Sequence, residues 1–203
     1  MRRLNRAEQR ERKQLEDAFL AAFKTEARAR EWKFLKPTAF AVVSTWFVMV
    51  DPAIHRDEER ASLTVKIKPR TIDDLMARVA YGRPLGKHPL STLARGPLFL
   101  TLPIIDEPMD STCGVGPMLE QACSMLDRAR VFAEQFTLDD FFEAETLGRR
   151  DGQVRYNAIL ALLLKKDYDL AHRLLDHADN GAGLSASVLI TSQQIRDWMA
   201  ANP

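Results

Sequence analysis

The chain has 203 residues, a net charge of +1 and an apolar fraction of 46%. Its three Trp and ten Phe can fill a core at a length that buries about 70% of the unfolded surface, which argues against intrinsic disorder. Two cysteines are too few for a disulfide-stabilised secreted scaffold, and no apolar run has signal-peptide or membrane-spanning length. We therefore expect a cytoplasmic protein without membrane association, with two free thiols.

The charge is unevenly distributed along the chain. Residues 1–100 carry a net charge of +8, and residues 101–203 carry a net charge of −7. This imbalance has two interpretations: oppositely charged segments pack together, or each half presents a charged surface to a partner.

Apolar residues at helical spacing predict an N-terminal helix over 2–33. Its turns before Lys13 are nearly all charged, and we expect them to fray or to project. Pro37 stops the helical pattern, because proline disfavours a helical conformation in the preceding residue. The next segment, 39–51, is rich in Val, Phe and Trp and predicts one strand that is apolar on both sides.

Residues 61–68 alternate between apolar and polar side chains, which predicts a half-exposed strand. The charged turn between 51 and 60 favours an antiparallel hairpin over 39–68. One side of the second strand carries Ser62, Thr64, Lys66 and Lys68.

Capping and turn residues predict a helix, a loop and a strand in the middle of the chain. Thr71 and Asp74 have the spacing of a helix N-cap and its N3 acid, and Gly82 ends that helix. Residues 83–97 are rich in Pro and Gly and predict a loop. Residues 98–105 predict a third strand, in which Pro103 indicates an edge or a bulge.

Residues 117–201 predict an all-helical part that begins at Pro117, a favourable residue in a first helical turn. Thr137 and Asp140 begin a further helix, and 154–178 forms a helical hairpin. The sequence therefore predicts a single α+β domain over 1–203. An α/β part, 1–105, contains an antiparallel sheet of about three to four strands, packed by the N-terminal helix and the helical part.

Cys113 is the strongest candidate for a reactive group. It lies just before a predicted helix N-terminus, where the helix dipole can stabilise a thiolate. A small residue in a turn is the simpler interpretation, since no rule places a base beside it. No cofactor motif is present, and His172 and His177 are five residues apart, which is not the spacing of a zinc pair. We therefore predict neither a metal nor a cofactor.

A candidate binding face lies on the polar side of strand 61–68. Its lysines, hydroxyls and a nearby aromatic residue are suited to a partner or a small anion, although antiparallel sheets often expose one side to solvent. The residues assigned to this face are Trp46, Thr64, Lys66, Lys68 and His88.

Two segments carry a resemblance to known proteins: Pro69 to Leu75, after the second strand, and Pro89 to Gly96, before the third. They occur within an order of N-terminal helix, strand hairpin, proline-rich middle and helices. In this layout the first two-thirds of the chain resembles small uncharacterised bacterial domains, some of which are found in polymorphic-toxin immunity neighbourhoods. The resemblance implies a role in binding a protein and brings no catalytic residues with it.

Three functional hypotheses follow. The first is a non-enzymatic protein-binding module, immunity-like or adaptor-like, whose acidic half takes a basic protein. The second is a small-molecule enzyme with a site near Cys113 and His88. The third is a nucleic-acid-associated protein that uses basic residues at 2–13 and 24–36, but interleaved acids at ion-pair spacing make nucleic acid the least favoured partner.

Overall fold

The computed structural model describes residues 4–55, 60–84, 101–147, 154–182, 184–185 and 190–203. It confirms the α+β class, with a five-stranded antiparallel sheet in the N-terminal half and helices after it. The elements, in chain order, are α1 (Arg6–Ala29), β1 (Lys33–Leu35), β2 (Thr38–Val43), β3 (Trp46–Ile54), β4 (Ala61–Pro69), α2 (Ile72–Tyr81), β5 (Leu102–Pro108), α3 (Val115–Gln135), α4 (Leu138–Leu147), β6 (Val154–Arg155), α5 (Tyr156–Lys165), α6 (Tyr168–His177), an irregular turn (Ala178–Ala182), β7 (Leu184–Ser185) and α7 (Ser192–Ala201).

The chain divides into two compact units. Unit 1 comprises Met1–Ile67 and Pro103–Gln135, and unit 2 comprises Lys68–Leu102 and Phe136–Pro203. Helix α3 falls in the predicted helical part of the sequence, yet it belongs to unit 1 with α1 and most of the sheet. The single domain over 1–203 stays a prediction.

The sheet has more strands than the three to four that we predicted. Its five strands lie in the order β1-β2-β3-β4-β5. Segment 39–51, predicted as one strand, is two strands that pair antiparallel around a turn at Ser44, whose φ is 53°. The run is apolar on both sides, so alternation gave no sign of the turn. The polar pair Ser44 and Thr45 was the available signal.

The two edges of the sheet account for the remaining differences. Strand β1 has only three residues and pairs antiparallel with β2. Alternation of apolar and polar side chains cannot be recognised in so short a segment, so the sequence did not predict this strand. Strand β5 spans Leu102–Pro108, so it ends three residues beyond the predicted 105; residues 98–100 of the predicted strand lie outside the described residues. It is an edge strand, the position in a sheet where proline is tolerated because one side of the strand has no hydrogen-bonding neighbour.

Helix α1 packs on the sheet through aromatic side chains. Phe19 and Phe23 are fully buried, with their rings stacked at 5.7 Å. Phe23 also meets the ring of Phe34 edge-on at 5.9 Å. This places α1 on the side of the sheet to which Phe34 points.

Arg12 anchors the part of α1 that we expected to fray. Its guanidinium is buried and donates to the carbonyl oxygens of His55 at 3.2 Å and Arg60 at 2.9 Å. It also donates to the hydroxyl of Ser111. These three hydrogen bonds, to two other segments of unit 1, hold the first turns of α1 against the rest of that unit.

Helix α5 is the core of unit 2. It packs against α2, α4 and α6, and its residues from Tyr156 to Leu163 are all buried. A helix that is apolar on all sides is typical of a position surrounded by other elements. Helix α2 also contacts α7, and Gly82 ends α2 in a left-handed conformation with φ of 68°, as predicted.

Candidate functional site

Cys113 is exposed and lies two residues before α3. Its thiol donates a hydrogen bond to a carboxylate oxygen of Asp110 at 3.0 Å. That carboxylate raises the pKa of Cys113, while the hydrogen bonds from Cys113 and Thr112 lower the pKa of Asp110 to about 2. The thiolate is the nucleophilic form of cysteine, so this arrangement keeps Cys113 protonated and opposes the expected effect of the helix dipole.

Part of the predicted binding face is occupied by carboxylates of neighbouring strands. The ammonium of Lys66 lies 2.7 Å from a carboxylate oxygen of Asp51, and the hydroxyl of Thr64 donates to Asp106 at 3.0 Å. The Lys66 side chain retains 34% exposure. The structure therefore places Thr64 and Lys66 on one polar strip across the sheet.

Two of the other residues assigned to that face are buried. Trp46 is buried, and strand alternation puts it on the side of β3 opposite to Asp51. Lys68 is fully buried. His88 lies outside the described residues.

Lys68 forms a buried ion pair with Asp73 at the start of α2, with side-chain exposures of 0% and 3%. Burial lowers the pKa of Lys68 and raises the pKa of Asp73, while their mutual attraction opposes both shifts. Thr71 is the N-cap residue of α2, as predicted, but its side chain makes no capping hydrogen bond. The first turn of α2 instead directs Asp73 to a lysine in the preceding strand.

The described residues contain no group of three or more His, Cys, Asp or Glu side chains able to hold a metal ion. Among the described helices, none is long and apolar enough to cross a membrane. Cys123 is a buried free thiol, and burial raises its pKa.

The charge asymmetry along the chain disappears when residues are grouped by structural unit. Unit 1 then has a net charge of 0 and unit 2 a net charge of +1. In unit 1 the acidic segment joins the basic one: Arg30 lies 3.8 Å from Asp127, and Arg130 donates to the carbonyl oxygen of Arg30 at 3.0 Å. The interpretation that oppositely charged segments pack together is favoured. A basic partner stays a prediction, without support from this charge distribution.

A groove of about 550 Å³ runs along α1 in unit 1. One wall is a stripe of α1 at helical spacing, and the other comes from β1 and the turn after it. We call it the α1 groove; its lining residues are Asp17, Leu20, Ala21, Lys24, Thr25, Arg28, Phe34 and Lys36.

The α1 groove combines an apolar floor with a basic rim. Leu20 is 5% exposed, and Phe34 is half-buried. On the rim, Lys24 and Arg28 are exposed, and neither side chain has an ion-pair partner among the described residues. They stand four residues apart on one helix, where like charges destabilise the helix by about 0.2–0.5 kcal/mol, so a bound anion would relieve their repulsion.

The basic residues of this segment were noted in the sequence, but the groove was not. Its second wall depends on Phe34 and Lys36, which were expected to lie in the linker after the helix predicted over 2–33. Without β1, the sequence placed nothing opposite the stripe on α1.

A second cleft, of about 460 Å³, lies between α2 and α7 in unit 2, and Arg78, Gln194, Asp197 and Trp198 are among its lining residues. Its charged groups are already engaged. Arg78 pairs with Asp74 at 2.9 Å, and Asp197 accepts from the Gln193 amide at 2.7 Å. Gln194 donates to the carbonyl oxygen of Ala80 at 3.3 Å. This cleft therefore offers less to a charged ligand than the α1 groove.

No family, curated protein or solved structure was found to match this chain. The site must therefore be interpreted from its own residues.

Proposed function

We propose that this chain is a non-enzymatic protein-binding module whose α1 groove takes an acidic, amphipathic segment of a partner protein. The observation that carries the proposal is the apolar floor of Leu20 and Phe34 beneath the exposed cations Lys24 and Arg28. Apolar side chains of the segment would fill the floor, and its carboxylates would meet the rim.

The chemistry of Cys113 supports binding over catalysis. A nucleophilic cysteine needs a lowered thiol pKa or an adjacent base. Here the nearest titratable partner, Asp110, raises the pKa of Cys113. Neither of the two grooves described above includes Cys113 in its lining.

The lining of the α1 groove also favours a peptide over a nucleic acid. Single-stranded nucleic acids are bound by aromatic faces on which bases stack. Phe34, the aromatic residue of the groove, is half-buried and packed edge-on against Phe23.

The test is a binding titration with a fluorescein-labelled peptide of alternating Glu and Leu, followed by anisotropy. We expect it to bind, and to bind more weakly as salt is added. A peptide with Lys in place of Glu and a labelled single-stranded oligonucleotide serve as competing probes. Preference for either of them over the acidic peptide would overturn the proposal.

A variant with reversed charges on the rim tests the site itself. Lys24→Glu/Arg28→Glu should weaken binding of the acidic peptide by about tenfold or more, because two favourable rim contacts become repulsive. Arg6→Glu/Arg10→Glu is the control, since these exposed residues have the same spacing on α1 but lie outside the groove. Equal losses in the two variants would mean that only the overall charge of α1 matters, against the proposed site.

A further inference from the structure

One carboxylate of the chain already lies in the α1 groove. Asp17, on α1, accepts from the ammonium of Lys36 at 3.0 Å. Lys36 follows β1, so the pair joins the two walls of the groove. Both side chains remain accessible, with exposures of 48% for Asp17 and 62% for Lys36.

This pair can be exchanged for another. Exposed ion pairs typically contribute about 0–1 kcal/mol, because water solvates both groups when they separate. Lys36 differs from the other two cations of the groove. Lys24 and Arg28 have no described ion-pair partner, whereas Lys36 is paired with a carboxylate that a carboxylate of a ligand can replace.

We infer that Asp17 is an intramolecular competitor for the partner's carboxylate and a specificity-determining residue of the α1 groove. The inference rests on the proposed function of that groove. When an acidic segment binds, its carboxylate replaces Asp17 on Lys36, so one ion pair is lost for each that forms there. The displaced Asp17 then faces the segment with like charge. Both effects lower affinity, so a segment must also fill the floor and meet Lys24 and Arg28 to bind.

Asp17→Asn removes the competitor and keeps the shape of the side chain. We expect the acidic Glu/Leu peptide to bind about two- to fivefold more tightly, the factor that corresponds to an exposed ion pair. Glu11→Gln is the matched control, because it makes the same charge change on the exposed surface of α1 outside the groove. It should leave the dissociation constant unchanged.

A double-mutant cycle separates displacement from general repulsion. In a Lys36→Gln background there is no ammonium to compete for, so Asp17→Asn should give only the smaller gain that comes from removing like-charge repulsion. An equal gain in both backgrounds would overturn the inference, since Asp17 would then act only through its charge. Circular dichroism of each variant establishes that α1 is intact.

The outcomes distinguish this inference from the proposed function. If the unaltered chain does not bind the acidic peptide, the proposed function fails. If it binds, but Asp17→Asn leaves affinity unchanged or weaker, the groove stands and the role of Asp17 is refuted.

Discussion

Two lysine–aspartate pairs in this chain use the same chemical groups in opposite ways. Lys68 and Asp73, in unit 2, have exposures of 0% and 3%. Lys36 and Asp17, in unit 1, have exposures of 62% and 48%. The first pair is sealed from any ligand, whereas the second lies in an open groove. Burial, rather than the identity of the residues, decides whether such a pair is accessible to a ligand.

The energetic reason is desolvation. A buried charge has lost its hydration, so each member of a buried pair depends on the other, and removal of one leaves an uncompensated charge. Members of an exposed pair are rehydrated when they separate. The shifted pKa values of Lys68 and Asp73, for which burial is the largest cause, report the same desolvation.

Asp73→Asn tests this contrast with the largest expected effect. We expect the free energy of unfolding to fall by about 3–5 kcal/mol, because the buried ammonium of Lys68 loses the negative charge of Asp73. Asp17→Asn should change it by less than about 1 kcal/mol. Urea denaturation of the full chain measures both, and similar losses would refute the contrast.

A double variant controls for lost shape. Lys68→Met/Asp73→Leu replaces the pair by apolar side chains, and it should recover much of the stability lost in Asp73→Asn. If the double variant is as unstable as the single one, the cost does not come from the buried charge.

Two similar motifs show how far local sequence predicts structure. Thr137 and Asp140 form both expected capping bonds: the Asp140 carboxylate accepts from the Thr137 N–H at 2.8 Å, and the Asp140 N–H donates to the Thr137 hydroxyl at 3.1 Å. Thr71 and Asp74 have the same spacing, but the Thr71 side chain makes no cap. The backbone of Thr71 is helical rather than extended, unlike that of a typical N-cap residue, and sequence spacing carries no information about this conformation.

The candidate site was predictable only in part. Periodicity identified the helix that forms one wall of the α1 groove, and composition identified its basic residues. The other wall was not predictable, because β1 is defined by pairing with β2 rather than by its own three residues. The net charges of the two halves of the chain did not predict the charges of the two units. The reason is again tertiary: α3 lies in the acidic half of the sequence but belongs to unit 1.

Tyr156→Phe extends the contrast to a buried polar group without a described partner. The Tyr156 hydroxyl is buried and makes no hydrogen bond with the described residues, and burial raises its pKa. Removing an unsatisfied hydroxyl should stabilise the chain by about 1–3 kcal/mol. Tyr168→Phe is the control, since the Tyr168 hydroxyl donates to the carbonyl oxygen of Asn202 at 2.7 Å; it should be neutral or destabilising. A loss of stability in Tyr156→Phe would contradict the prediction.

Asp110→Asn should change the free energy of unfolding least among these variants, but it should clearly change the reactivity of the Cys113 thiol. Without the carboxylate that raises the pKa of Cys113, the thiol should ionise at lower pH and react faster with iodoacetamide near neutral pH. Cys123, which is buried, serves as the internal control, read by mass spectrometry of each peptide. An unchanged rate at Cys113 would mean that Asp110 does not control the thiol.

The pKa of Asp110 also fixes the direction of its effect on stability. Its folded value of about 2 lies below the ordinary value of 3.8, so the unfolded chain binds this proton more readily. The contribution of Asp110 is therefore present above pH 3.8 and is lost as the pH falls toward 2, and Asp110→Asn should flatten that part of the stability profile. The exposed ion pair of Asp17 with Lys36 should weaken with added salt, whereas the buried pair of Asp73 with Lys68 should not. A salt-insensitive Asp17–Lys36 pair would break the distinction between exposed and buried carboxylates drawn from the two lysine pairs.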